Sequence, residues 1–453
     1  MKHLTPQRIT EITGGTYFGN DGARENRVAG AVRDNRDVKP GNLFVCICGK
    51  RVDGHSYANS AFESGAACCL AERIIPDAKG PYVLVESTLE AIKMLGGHFR
   101  SLFDIPIIGI TGSVGKTTAK ELVASVLGAE FRVLKTLENL NNELGVPLTL
   151  LSLDEHHEAA VIEMGISDFG EMSRLAEMVR PNIFIITKIG YSHLEALGDL
   201  NGVLRAKTET FAYMKPDGIA VLNGDDDLLW GYDPGMRRVN FGIGGRNDFR
   251  AENISYEGAS VVLCDIVSNM GRFQAKIPAY GSHLASLAPA AAAVGSLLGL
   301  SGESIIKGLL SYTPVSGRAN VSLAGDITII DDCYNANPNS VTAALTSLSS
   351  LPGRHVAILG DMLELGAQSE QLHRDMGAFA AKSSVDILIC CGDKAALIHD
   401  GYKAAGGVGA FYYRDKPELI AALPGLIKKG DAILVKASNS MKFDEILATL
   451  KEF

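Results

Sequence analysis

Short apolar runs recur along the chain with enough intervening sequence to hold a helix between each pair, and this rhythm predicts the architecture. Over the first hundred residues NLFVCIC, AACCLA and PYVLVE alternate with helical stretches, which predicts a compact α/β domain ending near Asp104-Ile105-Pro106. A second cycle begins with IPIIGI as a buried strand. It continues through a glycine-rich turn, a helix from about Lys116, and the strands AAVIE, IFIIT and IAVLN separated by helical segments, the pattern of a parallel α/β sheet. A third cycle opens around Thr313-Pro314, where ITIIDD, HVAILGD, DILICCG and AILVKAS alternate with helices from Ser340, Ser369 and Lys416 in a Rossmann-like pattern. The expected fold is α/β in three domains, 1–104, 105–313 and 314–453, with no internal repeat beyond the shared rhythm.

A length of 453 residues agrees with three domains of about 150 residues each. With 46% hydrophobic and 21% charged residues the chain is far from the composition of disorder. A formal net charge of -9 argues against a nucleic-acid footprint or attachment to an anionic membrane, while leaving room for a local basic pocket. The eight cysteines (Cys46, Cys48, Cys68, Cys69, Cys264, Cys333, Cys390 and Cys391) fall mostly inside apolar runs. They read as buried thiols without metal-ligand spacing, which favours a reducing, cytoplasmic setting. No secretory leader and no apolar stretch of membrane-spanning length is evident, the Ala-rich run Leu287–Leu300 being short and interrupted by Gly and Ser. A monomer is the expected assembly.

The chemistry is concentrated after IPIIGI, in Gly109-Ile110-Thr111-Gly112-Ser113-Val114-Gly115-Lys116-Thr117-Thr118, followed by the helix-forming AKELVASVL. Strand, glycine turn and helix stand in the order that lets backbone N–H groups converge on phosphate oxygens at a helix N-terminus. Lys116 is placed to neutralise β/γ charge and the Thr117 hydroxyl to reach Mg²⁺, with Thr111, Gly112, Ser113, Gly115 and Thr118 completing the loop. The strict G-x-x-x-x-G-K-[ST] pattern fails, because Ile110 stands where its first glycine belongs.

GITGSVGKTT resembles the phosphate-loop variant of Mur ligases and folylpolyglutamate synthetases. Four further segments match the Mur ligase family in the expected order: Asn141-Asn142-Glu143-Leu144-Gly145-Val146-Pro147, Val161-Ile162-Glu163-Met164-Gly165, His193-Leu194-Glu195-Ala196-Leu197-Gly198 and Ala206-Lys207-Thr208-Glu209. Asp331-Asp332-Cys333-Tyr334-Asn335-Ala336-Asn337-Pro338, Gly360-Asp361-Met362-Leu363-Glu364-Leu365-Gly366 and His373 resemble the members that add D-alanyl-D-alanine. Asp34-Asn35-Arg36, Pro40 to Phe44 and Asp53-Gly54-His55 resemble the family's uridine-nucleotide-binding domain.

The resemblance implies an ATP- and Mg²⁺-dependent ligase. The carboxylate of a UDP-MurNAc-tripeptide would become an acyl phosphate, and D-Ala-D-Ala would attack it, in peptidoglycan precursor synthesis. In that reading Thr117 and Glu163 hold the first Mg²⁺, and His193 and a carbamylated Lys207 serve a second. Arg318 reaches the ATP phosphates, and Asn142, His283 and Asp332 contact the nucleotide. Tyr334, Asn335 and Asn337 line the dipeptide pocket, although Asn-Ala-Asn-Pro is equally turn chemistry. Asp34, Asn35, Arg36, Asp53 and His55 serve the uridine nucleotide.

Three departures from the family pattern qualify these expectations. Lys188 follows Thr187 where Asn is common, Leu284 and Leu287 replace two asparagines that face the nucleotide base, and Asn439 replaces an arginine expected to hold the acceptor carboxylate. They keep two alternatives in view: a ligase using another amine, and a nucleotide-binding relative without turnover.

Overall fold

The computed structural model of the protein describes residues 4–49, 52–258 and 260–453. Three sheets follow one another along the chain. The first holds β1 (Thr16–Phe18), β2 (Gly30–Val32), β3 (Asn42–Val45), β4 (Cys68–Ala71) and β5 (Tyr82–Leu84) in the order β1-β5-β4-β3-β2, parallel except for the edge strand β1.

The central sheet contains β6 (Ile107–Thr111), β7 (Val133–Lys135), β8 (Ala159–Glu163), β9 (Ile183–Ile186), β10 (Ile219–Asn223), β11 (Arg237–Gly242), β12 (Phe249–Glu257), β13 (Val261–Ser268) and β14 (Gly271–Ile277). Its order is β14-β13-β12-β11-β10-β9-β6-β8-β7, parallel from β7 to β12. The expectation of a parallel sheet is corrected at one end, where β12, β13 and β14 form an antiparallel meander. The inner parallel strands β6, β8 and β9 are buried along their whole length because both faces are covered, whereas β11 carries Arg237, Arg238 and Asn240. In β13 only Val262, Cys264 and Ile266 turn inward, and Asp265 pairs with Arg272 on the other face, so the apolar run is diluted.

The third sheet, β15 (Asn320–Ala324), β16 (Ile327–Asp331), β17 (Arg354–Gly360), β18 (Ile387–Cys391), β19 (Ala410–Tyr413) and β20 (Asp431–Lys436), runs β15-β16-β20-β17-β18-β19 and is parallel apart from the β15–β16 hairpin. The Ala-rich run lies in the helix Ser282–Leu297, where Ala290 to Ala293 are fully buried against the central sheet's core. Among the described residues no helix is long and apolar enough to cross a membrane. Six of the cysteines are buried as expected, whereas Cys48 is exposed and Cys333 half-buried.

Candidate active site

The loop after β6 is built by local sterics. Ile110, the residue that breaks the strict phosphate-loop pattern, is fully buried inside β6, paired with Glu163 and Ile185, so it belongs to the strand and not the loop. Gly112 has φ 149°, and a Cβ there would stand 1.9 Å from Thr187 Oγ1. Gly115 has φ 81° and precedes the helix Lys116–Leu127, which gives that helix an N-terminus with free N–H groups and no side-chain cap. The segment after β9 braces the loop. Ser113 N donates to Lys188 O at 2.8 Å, Gly190 N donates to Ser113 Oγ at 2.9 Å, and Thr187 Oγ1 donates to Val114 O.

Lys116 Nζ donates to Gly112 O at 2.8 Å. Burial pushes this ammonium's pKa down, Glu163 opposes the shift and Arg318 reinforces it. Glu163, at the end of β8, is 1% exposed rather than solvated. Asn141 Nδ2 donates to its Oε1 at 2.8 Å, while Oε2 is buried with no hydrogen-bond partner. A buried carboxylate oxygen without a partner is costly unless a cation or ligand proton completes it. Thr117 is also buried and lines the same cavity. Lys207, which in isolation reads as an exposed helix lysine, is 1% exposed. Burial, and then the charge of Lys116, hold its amine well below its ordinary pKa. His193 has φ 52°, and its Nδ1 lies 2.7 Å from Glu364 Oε2.

The third sheet supplies the facing wall. The Arg318 guanidinium stacks on the Tyr334 ring at 3.7 Å, which fixes a long side chain over the cavity. Lys436 is fully buried and donates to Asp332 Oδ2 at 2.6 Å and to Asn335 O at 2.8 Å, so it organises the 332–337 loop. Asn337 is first of all a helix cap: Oδ1 accepts from Ser340 N at 2.9 Å in a reciprocal capping box. His283 is lowered by burial, with Asp332 opposing and Lys436 adding to the shift.

Ser113, Gly115, Lys116, Thr117, Thr118, Asn142, Glu163, His193, His283, Arg318, Asp332, Tyr334, Asn335 and Asn337 all line one cavity of about 1090 Å³. Thr111 is buried beneath it, with its hydroxyl donating to Met164 O at 2.7 Å. Of the two leucines, Leu287 lines the cavity and Leu284 is buried in the core. Asn439 lies instead on an open groove beside Lys442 and Lys451.

The first domain reaches the cavity through Ile47, Cys48, Glu72, Thr88 and Leu89. The residues expected from that domain are engaged locally. Asp34 is lowered to about 2 by Arg36, and Asn35 Nδ2 donates to Ser60 Oγ at 3.2 Å. Asp53 is lowered to about 2 by His55, whose Nε2 accepts from Glu72 N at 2.9 Å.

Sequence reasoning quoted Asn141 and Lys436 in motifs but gave them no role, and missed Asn339, whose Oδ1 accepts from Tyr191 N at 3.0 Å between the second and third domains. Asn141 stands beside a residue that was picked out. Asn339 sits among turn formers and carries no signal of its own.

Known proteins match along this same length. Three Mur ligase family regions align: the catalytic domain at residues 29–100, the middle domain at 110–295 and the glutamate ligase domain at 317–439. The UDP-N-acetylmuramoyl-tripeptide--D-alanyl-D-alanine ligase of Bacillus subtilis (strain 168) is 35% identical over 460 residues, covering 100% of this chain and 99% of that one. Its counterpart in Escherichia coli (strain K12) is 34% identical over 459 residues, with 100% and 99% covered. Among solved structures, MurF from Acinetobacter baumannii superposes with a TM-score of 0.89 at 30% identity over 99% of both chains. The MurF ligase from Thermotoga maritima in complex with ADP gives 0.83 at 28% identity over 96% of this chain and 98% of that one.

Proposed function

The chain belongs to the Mur ligase family, and within it we propose an ATP-dependent, ADP-forming ligase that joins D-Ala-D-Ala to UDP-MurNAc-tripeptide in peptidoglycan precursor synthesis. The observation that carries the reading is the single cavity to which all three domains contribute, with a phosphate loop on one wall, Arg318 on another and first-domain residues on the third. A peptide carboxylate, a triphosphate and an amine must meet in such a place. We place the domain limits at 1–104, 105–313 and 314–453, and the protein in the cytoplasm as a monomer.

Amide formation from a free carboxylate is uphill in water. The tripeptide carboxylate oxygen bonds to the γ-phosphorus as the β–γ bridge breaks and ADP leaves. The dipeptide amine then bonds to the acyl carbon, phosphate departs and a proton is released. Lys116 and Arg318 set positive charge where the transferring phosphoryl group carries negative charge, and the helix N-terminus after Gly115 adds backbone donors. The donor set fits a divalent cation: Glu163 Oε2 is buried and unpartnered beside the Thr117 hydroxyl's helix. Mg²⁺ bound there would neutralise charge on the phosphates. Lys207, kept toward its neutral amine, is in the form that takes up CO₂, and as a carbamate it would add a further carboxylate-like ligand. Asp332, His283 and Asn142 are proposed nucleotide contacts, and Tyr334, Asn335 and Asn337 proposed dipeptide contacts.

The test is phosphate release from ATP by the purified protein with UDP-MurNAc-tripeptide, comparing D-Ala-D-Ala, no amine and a panel of other amines. Release that requires both the tripeptide and D-Ala-D-Ala is the expected result. Release with a different amine makes Asn439 the first residue to change, and no release with any amine sinks the ligase reading.

A further inference from the structure

The segment Gly360-Asp361-Met362-Leu363-Glu364-Leu365-Gly366 stands outside the chemistry described so far, yet it touches the central domain at a catalytic position. Glu364 Oε2 lies 2.7 Å from His193 Nδ1. Both residues hold left-handed backbone, with φ 61° at Glu364 and 52° at His193. Glutamate has no particular tolerance for that region, so the surrounding structure imposes it. The imposition is visible on each side. Met362 N donates to His373 Nε2 and Leu363 N to Ser438 Oγ, both at 3.0 Å, which pins the loop to its own domain. Leu365 is buried, and a Cβ on Gly366 would come within 3.2 Å of Glu195 Cα, so backbone meets backbone across the boundary. On the opposite side the 187–193 segment is tied to the phosphate loop through Gly190 and Ser113, and to the third sheet through Tyr191 and Asn339.

The pair contributes little to stability, since the Glu364 side chain is 59% exposed and solvent screens exposed ion pairs. Its consequence is orientation. A histidine whose Nδ1–H is taken by a carboxylate presents Nε2 as its free lone pair, with the ring plane fixed. We propose that Glu364 is a positioning residue for His193: the third domain, on docking, accepts the Nδ1 proton and turns Nε2 toward the cavity that His193 lines. The cation and phosphate end of the site is therefore complete only when that domain is in place. This rests on the ligase reading for its kinetic consequence and not for the orientation itself.

Two variants test it in the full-length protein, Glu364→Ala and Glu364→Gln. Glutamine keeps an oxygen that accepts the Nδ1 proton. In protein labelled with ¹⁵N-histidine, with the His193 signals assigned by His193→Gln, wild type and Glu364→Gln should hold His193 protonated on Nδ1, and Glu364→Ala should shift it toward Nε2. Tripeptide-dependent phosphate release in Glu364→Ala should fall about ten- to a hundred-fold in kcat, with more Mg²⁺ needed for half-maximal rate. Glu364→Gln should recover most of this, with the melting temperature unchanged in both. A His193 ring still protonated on Nδ1 in Glu364→Ala, or wild-type turnover and Mg²⁺ dependence in that variant, overturns the proposal. If wild type itself shows no tripeptide-dependent turnover, the ligase reading fails while the nitrogen spectra still decide the orientation.

Discussion

Two buried ionisable groups of the proposed site work against folding. Glu163 keeps an unpartnered oxygen in the interior, and Lys207 is an amine with its charge disfavoured by burial. For Lys207 the sign follows from linkage. Its folded pKa lies below the unfolded value, so between the two the unfolded chain binds more protons and stability rises with pH. The stabilising side of this linkage is complete only above the unfolded value of about 10.4, and it is lost as pH falls toward the depressed folded pKa. Replacing Lys207 by Met keeps the packing volume and removes the titration. Lys207→Met should therefore melt higher than wild type near pH 7, lose the excess as pH approaches 10, and have no ligase turnover. Thermal melts across pH 6 to 10 check this, and a variant less stable than wild type at pH 7 would mean the amine has a partner that outweighs its burial.

At the scale of elements, site residues double as structural punctuation. Asn337 caps the helix Pro338–Leu348 with Oδ1 while its Nδ2 points at Ser113 O, 3.5 Å away. Asn337→Ala removes the cap and should cost about 1 kcal/mol. Asn337→Asp keeps the cap but sets a carboxylate oxygen against the Ser113 carbonyl, so turnover should fall with little change in melting temperature. Wild-type turnover in Asn337→Asp would assign Asn337 to the helix alone. The same doubling explains what was legible beforehand. The parallel strands β6, β8, β9 and β10 were readable because burial on both faces leaves them almost wholly apolar, while β7 and β11, with Lys135, Arg237 and Arg238, were not. The phosphate loop was readable because glycines at 112 and 115 leave a spacing mark. The β12–β14 meander was not, since its inward residues alternate with charges, and neither was Asn339, whose partner Tyr191 is 148 residues away. Glu163 was marked locally by its place at the end of the apolar run AAVIE, whereas Lys207 could be picked out only through the family resemblance, since nothing around it in the sequence distinguishes a buried lysine from an exposed one.

Across the whole molecule the carboxyl ends of all three parallel sheets converge. β3 and β4 lead to Ile47, Cys48 and Glu72, β6 and β8 to the phosphate loop and Glu163, and β16 and β20 to Asp332 and Lys436, all on one cavity. Ligands of open α/β sheets bind at such edges, and three edges around one space make the cavity depend on domain docking. Docking also brings cations together: Arg318 is close enough to Lys116 to lower its pKa. Without an anion between them that proximity opposes closure, and a triphosphate reverses its sign. A compact chain of this length has a radius of gyration of about 22 Å. Wild-type protein should scatter as a larger particle without nucleotide and contract toward that value with a non-hydrolysable ATP analogue and Mg²⁺. In Arg318→Gln the repulsion and the bridge disappear together, so the free protein should be more compact than free wild type and should contract little further on adding nucleotide. Full contraction in Arg318→Gln would place the closing force elsewhere, with His193–Glu364 and Tyr191–Asn339 the contacts to remove next.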